Sequence, residues 1–263
     1  MIRLASGLTI AFALLLLILY GSAFHFFCFA LFVSGMGAYE FFDMLKSGGR
    51  PSPVMAGVPA VVAITAALYL GPAQYGAIAI LALFILSASV SVFGNYKDNV
   101  AAGAYLTYGA VFIGAPMAAL ALIRAQIDGQ GFVIMLITAT AMCDTGAFYV
   151  GKNFGKRKLA PKLSPGKTVE GFIGGIGGAV LGAVVVWWLM ISSLNATEAV
   201  IAGLLVGLLG PIGDLAESAI KRNMGVKDAG SLIPGHGGVL DRVDSLLFTS
   251  AAFYLFLQVH SGL

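Results

Sequence analysis

Five polar residues in an otherwise apolar stretch have the types and spacing for chemistry. Asp214, Glu217, Ser218, Lys221 and Arg222 fall at offsets 0, 3, 4, 7 and 8. On a helix this gathers them into one polar arc of about 140°. Asp241 and Asp244 open the next apolar run at i and i+3, so they share a face, although Asp241 alone also suits an ordinary N-cap. Carboxylate oxygens from two facing helices are the donors Mg²⁺ prefers, with waters and substrate phosphates completing the shell. Lys221 and Arg222 beside them would neutralise the remaining phosphate charge. Between the two runs lies Asn223–Leu240, with the turn Pro234-Gly235-His236-Gly237-Gly238. Glycines let backbone N–H groups come close to a phosphate, and His236 has a ring to donate a hydrogen bond or carry a proton. These residue types and spacings predict metal-assisted phosphoryl or nucleotidyl transfer.

Two further features belong with this cluster. Asp144 sits inside an apolar run, eight residues before Lys152, as Asp214 sits eight before Arg222. Both carboxylates are therefore expected about 12 Å of helix below the membrane surface. A lone ionised carboxylate there costs at least about 2.5–3.5 kcal/mol, so a cation, a proton or a water-filled cavity must offset it. The loop Gly151–Thr168 carries six cations and no acid. It suits anionic headgroups or nucleotide phosphates, or serves only as a topology signal. Its end, Gly166-Lys167-Thr168, has the look of a P-loop, but Pro161 stands where that motif needs glycine. In the Gly-rich run Gly171–Gly182, glycines at four-residue spacing predict close helix packing. No strand is expected before that run, so a dinucleotide fingerprint is not read there.

The elements that must position these residues follow from composition. Of 263 residues, 59% are hydrophobic, 35 are glycine and only 10% are charged. A water-soluble domain holds about 25% charged residues. This excludes a soluble domain, a disordered chain and a nucleic-acid module, and leaves an all-α polytopic integral membrane protein. A bilayer core of about 30 Å needs roughly 20 apolar helical residues. Nine spans are predicted, at about 6–20, 23–42, 54–70, 74–94, 103–123, 131–150, 171–192, 199–220 and 242–259, with Gly21-Ser22 as the only break between the first two. A cleaved leader is not expected, since no small-residue cleavage site precedes a polar stretch. With nine spans, fourteen of the fifteen basic residues fall on one side and only Arg124 on the other. Basic loops stay cytoplasmic, so the N-terminus is expected inside and the C-terminus outside. Ten of the twelve acids lie on that same side, Asp128 and Glu198 being the exceptions. The chain is expected to divide into N-terminal transmembrane helices (1–100) and a catalytic region (101–263) whose cytoplasmic loops are 151–170 and 222–241. Cys28 and Cys143 both lie in apolar runs and read as packing residues.

Ser218-Ala219-Ile220-Lys221-Arg222, then Lys227-Asp228, then Ile233–Asp244 (IPGHGGVLDRVD) resembles the signature of the phosphatidate cytidylyltransferase (CDP-diacylglycerol synthase) family. Asp144–Ala147 and Lys162–Gly171 look like further family segments, with Val169 where the family often has an aromatic residue. The first hundred residues resemble it only in being apolar. The resemblance implies an all-helical multi-span fold, Mg²⁺ dependence, and a reaction in which CTP and phosphatidate give CDP-diacylglycerol and pyrophosphate. The partners it implies are CTP, phosphatidate and membrane lipids, with no nucleic acid; a homodimer is a further candidate. The expected location is the plasma (inner) membrane, with the site on the cytoplasmic side.

Joining the two readings, Asp214 and Asp244 are expected to ligate one divalent ion or an ion pair, with Asp241 and Ser218 nearby. Lys221, Arg222, Lys227 and Arg242 would hold phosphates. His236 with Gly237 and Gly238 would shape the nucleotide pocket beside Asp228. Lys167 would cover the triphosphate, and Asp144 would contact a metal or position a cation. The rival reading is an ion- or proton-coupled transporter using Asp144, Asp214 and Glu217. Against it, no paired broken helices stand in matching halves, and the polar cluster lies at one face.

Overall fold

A computed structural model describes residues 2–230, 232 and 237–260. The chain forms two compact units that interleave along the sequence. Their boundaries fall between residues 122 and 123, 219 and 220, and 243 and 244.

The first unit takes residues up to Leu122 together with Ile220–Val243. Its helices are α1 (Ile2–Tyr20), α2 (Ala23–Ser47), α3 (Val54–Leu70), α4 (Ala73–Phe93) and α5 (Asn99–Gly109). One π-turn, Ala110–Gly114, joins α5 to α6 (Ala115–Arg124) without a break. Pro116 follows that turn; it has no N–H to donate to the preceding turn, so the ladder widens there. The break at Gly21-Ser22 is where α1 ends, and Ser22 caps α2 by accepting from the His25 N–H at 3.3 Å. Asp98 caps α5 in the same way through the Ala101 N–H at 3.0 Å. The core is aromatic and small. Phe26, Phe41 and Phe42 are fully buried, Phe27 stacks on Tyr69 at 4.1 Å, and the Thr65 hydroxyl ties α3 to the π-turn through the Gly114 carbonyl at 3.2 Å.

The second unit takes Ile123–Ala219 and the chain from Asp244 onward. It holds α7 (Gly129–Phe154), a hairpin of β1 (Lys158–Ala160) and β2 (Ser164–Thr168), and α8 (Val169–Met190). Most of α9 (Ala196–Asn223) and of α10 (Leu240–His260) complete it. The glycine run of α8 packs on α7 as its spacing predicts. A Cβ at Gly171 would stand 2.8 Å from the Ala147 carbonyl, and one at Gly182 would stand 3.1 Å from Ala139 Cα. Gly203 and Gly207 of α9 approach Val180 and Ile176 of α8 in the same fashion. At the end away from the hairpin, Asp128 accepts from the Ser192 and Ser193 N–H groups at 2.7 and 2.8 Å.

Among the described residues, seven helical stretches are long and apolar enough to cross a membrane: Ala23–Ser47, Tyr75–Phe93, Asn99–Arg124, Gly129–Phe154, Val169–Met190, Ala196–Asn223 and Leu240–His260. The expected spans 6–20 and 54–70 are helical, but their apolar parts, Ala11–Tyr20 and Val54–Leu70, are shorter. The chain is thus a largely helical integral membrane protein. The all-α expectation holds for all but this short hairpin among the described residues, and the hairpin overturns the reading that no strand precedes the glycine run. β2 runs directly into α8, but its partner is antiparallel β1, and Gly171, Gly174, Gly175, Gly178 and Gly182 of α8 face α7. No dinucleotide fold arises from it.

Candidate active site

The second unit builds its polar cluster around the hairpin. Thr168 ends β2 and caps α8, accepting from the Gly171 N–H at 3.1 Å. Glu170, one turn on, accepts from the Lys156 and Arg157 N–H groups at 3.0 and 3.1 Å, which pins the loop to the helix start. This clamp holds the residue before the cap, Lys167, in place. Its Nζ donates to Asp214 Oδ2 at 2.5 Å, with side chains 27% and 33% exposed. On the next turn of α9, the Ser218 hydroxyl donates to Asp214 Oδ1 at 3.3 Å. Asp144, from α7, lies within electrostatic reach of both Asp214 and Lys167. A cavity of about 470 Å³ opens beside them, lined by Asp144, Lys152, Ser164, Lys167, Phe148 and Phe172. Asp144, expected to be buried, is exposed and lines this cavity. Asp214 is half-buried. The carboxylate fully enclosed is Glu217, 0% exposed.

Asp244 stands in the first turns of α10. Gly213 packs against it, and a Cβ there would stand 2.7 Å from the Asp244 carbonyl oxygen. Asp214 and Asp244 therefore lie on helices in close contact at that level. Asp244 Oδ1 accepts from the Ser245 N–H at 2.6 Å.

In the first unit the remaining candidates gather around the segment that joins α9 to α10. Lys221 Nζ donates to Asp241 Oδ1 at 2.6 Å, and the two side chains are only 10% and 8% exposed. Asp241 Oδ2 accepts from the Ala229 and Gly238 N–H groups at 3.0 and 2.8 Å. Asp241 is thus the organiser of this segment, and Lys221, expected to hold phosphate, is held by Asp241. Arg222 is exposed and donates from Nη1 to the Val226 carbonyl at 3.3 Å. Lys227, Asp228 and Arg242 are exposed. Gly237 has φ +81°, and a Cβ there would stand 2.9 Å from Asp241 Oδ2, so both backbone and space require glycine. His236, with Pro234 and Gly235, lies outside the described residues.

One participant had no motif to mark it. Glu40, 2% exposed in α2, accepts from the Val239 and Leu240 N–H groups at 3.0 and 2.8 Å. Its only signal in the sequence is an acid within an apolar run.

Among the described residues no three His, Cys, Asp or Glu side chains form a ready metal-binding group. The donors present nonetheless fit Mg²⁺ in kind. Asp144, Asp214, Ser218 and Asp244 offer oxygen only, and this ion is commonly held by one or two carboxylates plus waters and substrate phosphates.

A profile of the cytidylyltransferase family matches residues 1–260. The chain belongs to the cytidylyltransferase family. It is 32% identical to the phosphatidate cytidylyltransferase of Bacillus subtilis over 273 aligned positions, covering 98% of each chain. It is 40% identical to the phosphatidate cytidylyltransferase of Staphylococcus haemolyticus over 121 residues, 46% of each chain. An uncharacterized protein of Escherichia coli is 45% identical over 130 residues, 49% of this chain and 43% of that one. Membership in this family makes the chain an enzyme, and the transporter reading falls away.

Proposed function

We propose that the chain transfers a cytidylyl group from CTP to phosphatidate, giving CDP-diacylglycerol and pyrophosphate, at the cytoplasmic face of the plasma (inner) membrane. The observation that carries this reading is a cavity of about 470 Å³ lined by Asp144 and Lys167, with Lys167 paired to Asp214 and Ser218 bonded to that same carboxylate. An oxygen of the lipid phosphate attacks the α-phosphorus of CTP. The new P–O bond forms as the α–β bridging P–O bond breaks, and its electron pair leaves on pyrophosphate. Phosphatidate is already an anionic nucleophile near neutral pH, so no strong base is required. Catalysis is then alignment and charge stabilisation.

Lys167 can turn from Asp214 to the triphosphate while the Thr168 cap and the Glu170 clamp keep its backbone fixed. Lys152, on the same cavity, offers a second cation. Phe148 and Phe172 give the cavity the apolar wall that a lipid substrate needs. Asp214 and Asp244 would hold Mg²⁺, which when bound neutralises phosphate charge between the reactants. In the first unit, Arg222, Lys227 and Arg242 are the exposed cations for phosphate. Gly237 and Gly238 would line the nucleotide pocket with His236 and Asp228.

The test is purified protein in detergent with labelled CTP, phosphatidate and Mg²⁺. A lipid-soluble cytidine product is expected, and Asp214→Asn and Asp244→Asn should each lower its rate at least a hundredfold. Full activity in either folded variant refutes the assignment of that carboxylate. For the membrane side, nine spans with the N-terminus inside place the Lys152–Lys167 loop in the cytoplasm. Trypsin should reach it only in inside-out vesicles.

A further inference from the structure

We propose that Glu40 is a positioning residue for the reaction, the post on α2 that holds Gly230 and the stretch Gly238–Leu240 at the start of α10. The geometry is specific. Each carboxylate oxygen takes one backbone N–H, Oε1 from Val239 at 3.0 Å and Oε2 from Leu240 at 2.8 Å, across about two hundred residues of sequence. Leu240 begins α10, so a negative charge sits where the helix dipole and its unpaired N–H groups favour one.

The same carboxylate explains two glycines. A Cβ at Gly230 or at Gly238 would stand 2.8 Å from Glu40 Cδ. Both arms of the segment therefore close on this one group, and neither has room for a methyl. Asp241 is the second post, taking the Ala229 and Gly238 N–H groups on its Oδ2. Gly238 lies against one carboxylate and donates to the other. Lys227 and Asp228 stand directly before the first anchored point, Ala229, and Gly237 directly before the second, Gly238. Glu40 is 2% exposed, so it acts on substrate only through the backbone it holds. A cavity of about 370 Å³ lies alongside, lined by Tyr39, Glu40, Asp43, Met44, Asp228 and Gly230. The stretch Val226–Gly230 thus has open space beside it and depends on its anchors to keep its place.

This inference rests on the proposed cytidylyl transfer only in its activity arm. Glu40→Gln keeps the size of the side chain but turns an amide NH₂ toward one of the two donors. Gly230→Ala crowds the same carboxylate and leaves its charge. The variants are compared with the parent by hydrogen exchange and by steady-state kinetics. In both, exchange at the Val239 and Leu240 amides should rise at least tenfold, with the 169–190 helix unchanged. The KM for CTP should rise at least fivefold, and more than the KM for phosphatidate. Should Glu40→Gln not fold, Gly230→Ala carries the same expectation. Unchanged exchange at the two amides overturns the proposal. So does a rise spread evenly over the chain with the KM for CTP unmoved, since that marks a general support of the fold. Absence of any cytidylyl transfer by the parent would sink the reaction, while the exchange arm would still decide the anchor.

Discussion

Replacing Lys221 by Met leaves the Asp241 carboxylate enclosed without its ammonium. The two side chains are 10% and 8% exposed and meet at 2.6 Å. At that separation, with an effective dielectric constant of about 20, the attraction is about 6 kcal/mol. Desolvation takes back several kcal/mol per ion, so the net coupling should be about 2–3 kcal/mol. Losing one partner costs more, about 3–5 kcal/mol, because the other charge stays enclosed. Asp241 softens this on one side only, through the Ala229 and Gly238 N–H groups on its other oxygen. Lys221→Met, Asp241→Asn and the double variant form a cycle, read as unfolding free energies in mixed micelles. The double variant should be less destabilised than the sum of the single ones by about 2–3 kcal/mol. Additive losses within about 0.5 kcal/mol would show that the pair is not formed in solution and would return Lys221 to the substrate phosphates.

Three other outcomes follow from the same geometry. Gly178→Ala should cost about 1–3 kcal/mol by overpacking, because its Cβ would stand 2.9 Å from the Met142 carbonyl carbon. Gly177→Ala, with nothing within 4 Å, should be neutral or stabilise by up to about 1 kcal/mol; equal Tm shifts would refute the packing of α7 on α8. Lys167→Met should lower kcat/KM for CTP more than tenfold while changing stability by no more than about 1 kcal/mol, as its pair is partly exposed; an unaltered kcat/KM removes it from the site. At Asp128 burial favours the neutral acid, but the hydrogen bonds from Ser193 and Ser192 outweigh it and hold the carboxyl below its ordinary value. Its contribution to stability is therefore complete above the unfolded value, near 4, and is lost as pH falls through the folded one. Tm against pH should fall less steeply below about pH 4 in Asp128→Asn, and superimposable slopes would refute the clasp.

Much of this protein is written in local pattern. Apolar runs of bilayer length became helices, because in lipid the backbone must satisfy itself within each segment. Glycines at four-residue spacing in α8 became a packing face for the same reason that drew attention to them, the absence of a side chain. Asp214 and Ser218, four residues apart, met by helical period alone. The hairpin at Lys158–Thr168 was hidden, since its strands are short, it contains Pro161 and Pro165, and it carries no alternation of apolar side chains. The pairings of charges were hidden as well. Nothing in residue type distinguishes Lys167, turned to Asp214, from Lys221, enclosed by Asp241. Each depends on which distant group arrives within about 3 Å. Glu40 is the clearest case, as one acid in an apolar helix becomes meaningful only when Val239 and Leu240 present two N–H groups to it. The helices, the glycine faces and the family are legible in the order of residues, because those depend on neighbours a few positions away. Which carboxylate is paired, which is enclosed and which opens on a cavity emerges from the folded arrangement, because charge interactions depend on distance and enclosure rather than on order along the chain.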